Sequence, residues 1–254
     1  MLAACIIAFS MYSKIPMPRV DWNEKNMKYA FCFFPLVGAV LGAIVYGIGT
    51  LLLHIHVGSL CFAALMSVIP IFFTGGIHVD GLLDTLDALH SYGDREKKLE
   101  ILKDPHTGAF AIIGAMCYFI LSLGAWSEIP SRGLPVIAVA YVLTRALSGL
   151  SVVTFPLAKN TGLAATFSDL SHKSRVKVTM IVYSVICSAV LLWIDCFLGI
   201  GIIVCSLLMF GYHYHVSRKQ FGGITGDLAG YFLQLNELVT LLWVAIACGI
   251  GGIA

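Results

Sequence analysis

Thr74-Gly75-Gly76-Ile77-His78-Val79-Asp80-Gly81-Leu82-Leu83-Asp84-Thr85-Leu86-Asp87-Ala88-Leu89-His90 follows directly on the uncharged apolar run Ser59–Phe73, and this junction decides what kind of protein the chain is. Asp80, Asp84 and Asp87 fall at i, i+4 and i+7, so on a helix the three carboxylates share one face. Like charges stacked so closely repel one another, and folding alone has no use for the conflict. A hard cation such as Mg²⁺ removes it, because Mg²⁺ takes carboxylate oxygens and leaves room for substrate phosphates. Favourable placement at a helix start accounts for Asp80, but not for Asp84 and Asp87 one and two turns further on. Gly75, Gly76 and Gly81 let the backbone approach a ligand where a Cβ would obstruct it. The acidic stretch therefore predicts a metal and phosphate site at the edge of a membrane.

Composition supports the membrane. Of 254 residues 59% are hydrophobic and only 12% charged, and the mean hydropathy is +0.90. Soluble domains carry about 25% charged residues. A net charge of +2 implies no nucleic-acid partner, and the basic residues read instead as topology signals. The eight cysteines are scattered through apolar runs without a Cys-x-x-Cys pair, so they read as small buried hydrophobes. Met1–Ser13 lacks a basic start and a small-residue cleavage site, which speaks against a removed signal peptide.

Outward from the junction, Met1–Ser13 is too short to span and reads as an interfacial helix. Lys14–Lys28 reads as a surface loop. Spans are expected over Ala30–Leu53, Ser59–Phe73, Gly108–Ser127, Val136–Phe155, Val178–Ile194, Gly199–Tyr212 and Leu228–Ile253. Between them lie polar loops at Ser91–Thr107, Lys159–Lys177 and His213–Asp227. The expected fold is all-α: a polytopic membrane helical bundle of about seven transmembrane helices plus the N-terminal helix, forming one membrane-embedded catalytic domain. Gly38-x-x-x-Gly42 predicts close helix packing. One set of loops carries nearly all basic residues outside spans and the other only Arg132, so the loops of Lys14, Lys97, Lys173 and Arg218 belong in the cytoplasm.

Three further groups bear chemistry. Lys103-Asp104-Pro105-His106-Thr107-Gly108 either holds a phosphate or a second metal ligand, or carries ordinary interfacial charges. Arg145 lies in mid-span, where a cation is costly unless it faces the protein interior or water, and its planar fork suits phosphate. Gly222-Gly223-Ile224-Thr225-Gly226-Asp227, with Glu237 inside the last span, has the makings of a second half of the site. His54/His56 and His213/His215, at i and i+2, do not share a helix face and read as interfacial.

These residues resemble the signature of the cobalamin synthase (adenosylcobinamide-GDP ribazoletransferase) family, above all Gly75-Gly76-x-His78-x-Asp80-Gly81-x-x-Asp84-x-x-Asp87. The likeness extends through Pro16-x-Pro18-Arg19, Lys103-Asp104, Thr144-Arg145 and Gly222-Gly223-x-x-Gly226-Asp227 to Glu237, in the same order. The resemblance implies a cytoplasmic-membrane transferase joining adenosylcobinamide-GDP to α-ribazole or its 5′-phosphate, with Mg²⁺ as cofactor and other late cobalamin-pathway enzymes as partners. It implies Mg²⁺ on Asp80, Asp84 and Asp87, and phosphate on Arg145 and Lys103. His78 or a carboxylate would act as proton acceptor, and Asp104, Gly222, Gly223, Thr225, Asp227 and Glu237 would complete the site. A CDP-alcohol phosphotransferase also uses an Asp-rich membrane helix, but it needs Ala-Arg soon after Asp-Gly, where Leu83-Asp84 stands. An ion-coupled transporter built on Arg145 and Glu237 is the other alternative.

Overall fold

Two left-handed glycines turn the chain at the junction that the sequence singles out. The computed structural model describes residues 1–158 and 172–250. Helix α4 (Ser59–Thr74) ends at Gly75 (φ +68°), Gly76 follows at φ +81°, and α5 (Ile77–His90) leaves at 97° to α4. A side chain with a Cβ strains this conformation, which is why two glycines stand here.

Among the described residues there are eleven α-helices and no β-strand. The others are α1 (Leu2–Tyr12), α2 (Glu24–Met27), α3 (Phe34–His54), α6 (Arg95–Ile101), α7 (Ala109–Ser127), α8 (Gly133–Thr154), α9 (Lys173–Ile194), α10 (Cys196–Phe221) and α11 (Gly226–Ile250). Helix α8, with 22 residues, is about 33 Å long at 1.5 Å per residue, enough for a hydrocarbon core of about 30 Å. α4 alone, with 16 residues, reaches only about 24 Å. Among the described residues six helices are long and apolar enough to cross a membrane, and the bent α4–α5 pair makes seven if it crosses as one broken span. A polytopic helical bundle of six to seven spans is thus what the chain forms.

Helix α8 is the axis, packed by α3, α9 and α11, and Leu134, Val136, Ala146 and Ser151 on it are fully buried. The peripheral helices turn large apolar side chains outward: Ile112, Ile113, Met116 and Ile120 on α7, and Val178, Val182, Val185 and Ile186 on α9. Apolar faces this broad belong against lipid.

The Gly38-x-x-x-Gly42 spacing works as expected. A Cβ on Gly42 would stand 2.4 Å from the Ala138 carbonyl oxygen, and one on Gly38 2.5 Å from that of Tyr141, so α3 lies backbone to backbone on α8. Gly42→Val is therefore expected to force the helices apart, at about 1–3 kcal/mol of overpacking. Thermal unfolding in detergent checks this, and a variant as stable as the parent would contradict it.

The basic loops meet at one end of the bundle. The Lys14 N–H donates to the Phe73 carbonyl (2.7 Å) and the His172 N–H to that of Lys28 (3.3 Å). Arg95 Nη2 donates to the Ala158 carbonyl (3.2 Å), and Lys98 Nζ to Gln220 Oε1 (2.6 Å). Arg132 stands just before α8, at its far end and one whole helix away.

Several boundaries differ from the sequence expectation. His213–Asp227 is not one long connection: α10 continues to Phe221, α11 begins at Gly226, and only Gly222–Thr225 joins them. Helix continues because the His213 ring is buried, stacked on Phe232 at 4.8 Å, with Ser151 Oγ and Ser217 Oγ each 3.3 Å from a ring nitrogen. His213 is therefore core rather than interfacial. Lys173–Lys177 opens α9 instead of ending a loop, and residues 159–171 lie outside the described residues. The charged stretch Ser91–Thr107 contains α6, capped by Asp94, whose carboxylate accepts the Lys97 N–H at 2.9 Å. The Lys14–Lys28 stretch likewise contains α2. Cys61, Cys117 and Cys196 are exposed rather than buried.

Candidate functional site

The site begins where α5 crosses α11 with no side chain between them. A Cβ on Gly81 would lie 2.8 Å from the Asp227 carbonyl oxygen, and one on Gly230 3.3 Å from that of His78. This contact brings Asp227, from the first turn of α11, beside Asp80 and Asp84 of α5. The negative charges of Asp80, Asp227 and Asp87 all act on Asp84, which is half-buried among them.

Asp87 faces a different way. Its Oδ2 accepts the Gly108 N–H at 2.6 Å and its Oδ1 the Ala111 N–H at 2.8 Å, so it caps the start of α7. A Cβ on Gly108 would sit 2.7 Å from both carboxylate oxygens, which explains that glycine. Each oxygen keeps a second lone pair.

Beside the crossing is a cavity of about 290 Å³, lined by Asp80 and Asp227 together with Tyr12, Phe31, Phe34 and His78. The His78 ring is 5% exposed and stacks on Tyr12 at 5.9 Å with 13° between the planes. Its Nε2 has no hydrogen-bond partner. Lys14 lies across the α4–α5 turn, since a Cβ on Gly75 would collide with its Cε. Neither Tyr12 nor Lys14 is marked by spacing or burial cost in the sequence, where they read as parts of the N-terminal helix and loop.

Arg145 is fully buried, and it does not line this cavity. Its Nη1 donates to the Tyr141 carbonyl (3.0 Å) and to Glu237 Oε1 (2.5 Å). Glu237 is thus the counter-ion that a mid-span arginine needs. Nε and Nη2 have no protein partner. Asn236 turns to Thr144, donating to its hydroxyl at 3.1 Å, and Tyr118 donates to Gln234 at 2.6 Å. These side chains form a polar layer joining α7, α8 and α11.

The remaining predicted residues separate. Lys103 and Asp104 are exposed on the α6–α7 loop. The backbone N–H and ring Nδ1 of His106 (3.0 and 2.6 Å) hold the Asp104 carboxyl below its usual range. Gly222 (φ +73°) closes α10, and a Cβ there would collide with the Arg95 guanidinium. Gly223 lets the backbone meet Pro156–Leu157, where Ile224 N–H donates to the Pro156 carbonyl at 2.8 Å. The Thr225 hydroxyl accepts the Leu228 N–H at 3.2 Å, capping α11. This connection holds Asp227 in place from behind.

Among the described residues no three His, Cys, Asp or Glu groups converge as ready metal ligands. The donors at the crossing are nevertheless hard carboxylate oxygens. Mg²⁺ takes one or two of these and fills its shell with water and substrate phosphate. The donor set fits an ion brought with a phosphorylated substrate better than a closed protein cage.

A family model described as cobalamin-5-phosphate synthase matches residues 4–245. A Lachnoclostridium phytofermentans protein named adenosylcobinamide-GDP ribazoletransferase is 47% identical over 247 residues, 96% of this chain and 94% of its own. Proteins of the same name are 32% identical in Desulfitobacterium hafniense (93% of this chain, 94% of the relative) and 28% in Clostridium perfringens (94% and 96%). No solved structure matches the chain. With the match running almost end to end and the glycine–aspartate helix at its structural centre, the chain belongs to the cobalamin-5-phosphate synthase family of transferases.

Proposed function

We propose that the protein joins adenosylcobinamide-GDP to α-ribazole, or its 5′-phosphate, giving adenosylcobalamin, or its phosphate, and GMP. The observation that carries this reading is the α5–α11 crossing, which gathers Asp80, Asp84 and Asp227 beside a nucleoside-sized cavity in a chain of this family. A hydroxyl of α-ribazole attacks the phosphorus attached to the corrinoid arm. The new P–O bond forms as the phosphoanhydride bond breaks, and GMP carries away the electron pair. Such a transfer needs position and charge neutralisation more than covalent help.

Asp80, Asp84 and Asp227 would hold Mg²⁺, with Asp87 adding a free lone pair; the ion would supply positive charge for the diphosphate. One of these carboxylates accepts the hydroxyl proton. Lys14, over the turn, and Lys103, on the adjoining loop, offer cations to phosphate. Arg145 and Glu237 act by holding α11 to α8, which fixes the height of Asp227. The clustered basic loops favour a cytoplasmic site in the cell membrane, where other late enzymes of the pathway would deliver substrate.

The test is an assay in detergent with both substrates and Mg²⁺, following nucleotide and corrinoid by chromatography. GMP and cobalamin are expected in equal amounts, both stopped by EDTA and restored by excess Mg²⁺. Undiminished turnover in EDTA would remove the metal from the reading, and no product from intact protein would remove the reaction.

A further inference from the structure

The cavity has two kinds of wall. Asp80 and Asp227 supply charge, while Tyr12, Phe31, Phe34 and Val152 supply aromatic and apolar surface. Between them stands His78, 95% removed from solvent (5% exposed), with Nε2 unpaired. A buried ring nitrogen without a partner is costly unless something entering the cavity completes it. The Tyr12 and Phe34 rings, 4.4 Å between centroids and tilted by 46°, make that wall aromatic. Ser148 adds no free donor, because its hydroxyl is given to the Ala229 carbonyl at 3.2 Å.

We infer that this cavity is the subsite for the base of the acceptor nucleoside, α-ribazole, with the base against Tyr12 and Phe34 and the ribose toward Asp80 and Asp227. The inference rests on the reaction proposed above and assigns its two substrates to different places. Guanine, the other base in that reaction, presents a full edge of donors and acceptors, and the apolar wall would leave them unpaired at a cost. A benzo-fused base asks for little beyond stacking and one hydrogen bond, and His78 Nε2 offers that bond. About 290 Å³ falls just below the range of roughly 300–1,000 Å³ found for pockets that take drug-sized molecules, right for one nucleoside and too small for a corrin ring. Tyr12 comes from α1, so the short N-terminal helix becomes part of the acceptor site. The base should also be chosen here, with purine nucleosides disfavoured.

The experiment measures KM for each substrate separately, in detergent, for the parent, Tyr12→Leu, Tyr12→Phe and Val152→Phe. Equilibrium binding of α-ribazole alone is measured beside it. Tyr12→Leu removes the ring, and Val152→Phe fills the cavity from α8. Both are expected to raise KM for α-ribazole about 10-fold or more, given the usual worth of base–aromatic stacking. KM for adenosylcobinamide-GDP should stay within about 2-fold, and Tyr12→Phe near the parent. A rise confined to adenosylcobinamide-GDP would overturn the inference by giving the cavity to the other nucleotide, as would no change in either constant. Should one variant fail to fold, the other reaches the same space from a different helix. Binding separates the two levels. Tyr12-dependent binding of α-ribazole by a parent that makes no cobalamin keeps the subsite and discards the reaction, whereas product formation with unchanged KM in both variants does the reverse.

Discussion

Asp84→Asn is expected to lower turnover by about 10²–10³-fold or more while leaving the protein as stable as the parent, or more so. On the reading proposed above, the loss follows from removing one of the carboxylates that would hold Mg²⁺, at the scale seen when one preorganised electrostatic group is deleted. Stability moves the other way because Asp84 is half-buried under the charges of Asp80, Asp227 and Asp87, and neutralising it relieves that repulsion. Few substitutions raise stability and abolish activity together, and a site strained for function is where this happens. Thermal unfolding with and without Mg²⁺, measured beside initial rates, checks both halves. Mg²⁺ should raise the midpoint of the parent more than that of the variant. A variant that is less stable yet keeps much of its turnover would make Asp84 a structural residue.

Glu237→Ala should have the largest effect on the fold. It strands the Arg145 guanidinium, which has no exposure, in the middle of the bundle. Removing one partner of a buried ion pair costs about 3–5 kcal/mol, enough to deplete folded protein in detergent. Replacing both residues by leucine should recover most of that loss, since an apolar pair of similar volume is often neutral or better. The double variant should also regain turnover to within about 10-fold of the parent if the pair serves to hold α11 against α8. A folded double variant without activity would place Arg145 or Glu237 in direct contact with substrate.

Local patterns in the chain were legible where the physics is local. The i, i+4, i+7 aspartates needed only helical geometry to share a face, and Gly38 and Gly42 needed only their spacing to announce a close helix contact. Long apolar runs could be read as spans because lipid demands them. What stayed hidden depends on partners far away in the sequence. Nothing near Gly81 says that Asp227 will cross it, and nothing near Arg145 names Glu237. Asp87 reads as one of three equal carboxylates, yet its oxygens are given to the first turn of α7. Tyr12 sits in a segment too short to span, and only the fold puts it against His78. The polar look of the His213–Gln220 stretch hid a helix, because the partners that make His213 a core residue come from α8 and α11.

The Arg145–Glu237 pair also has a history during synthesis. The two residues lie 92 positions apart, in α8 and in α11, the last of the described helices. At about 5–20 residues per second, Arg145 has been made roughly 5–20 seconds before its counter-ion exists. Through that interval α8 carries an unpaired cation, which disfavours its release into lipid and favours its retention at the insertion machinery until α11 arrives. The same arrival delivers Asp227 to α5. The Arg145–Glu237 pair and the cluster of Asp80, Asp84 and Asp227 are therefore completed together, and a nascent chain halted before α11 holds neither.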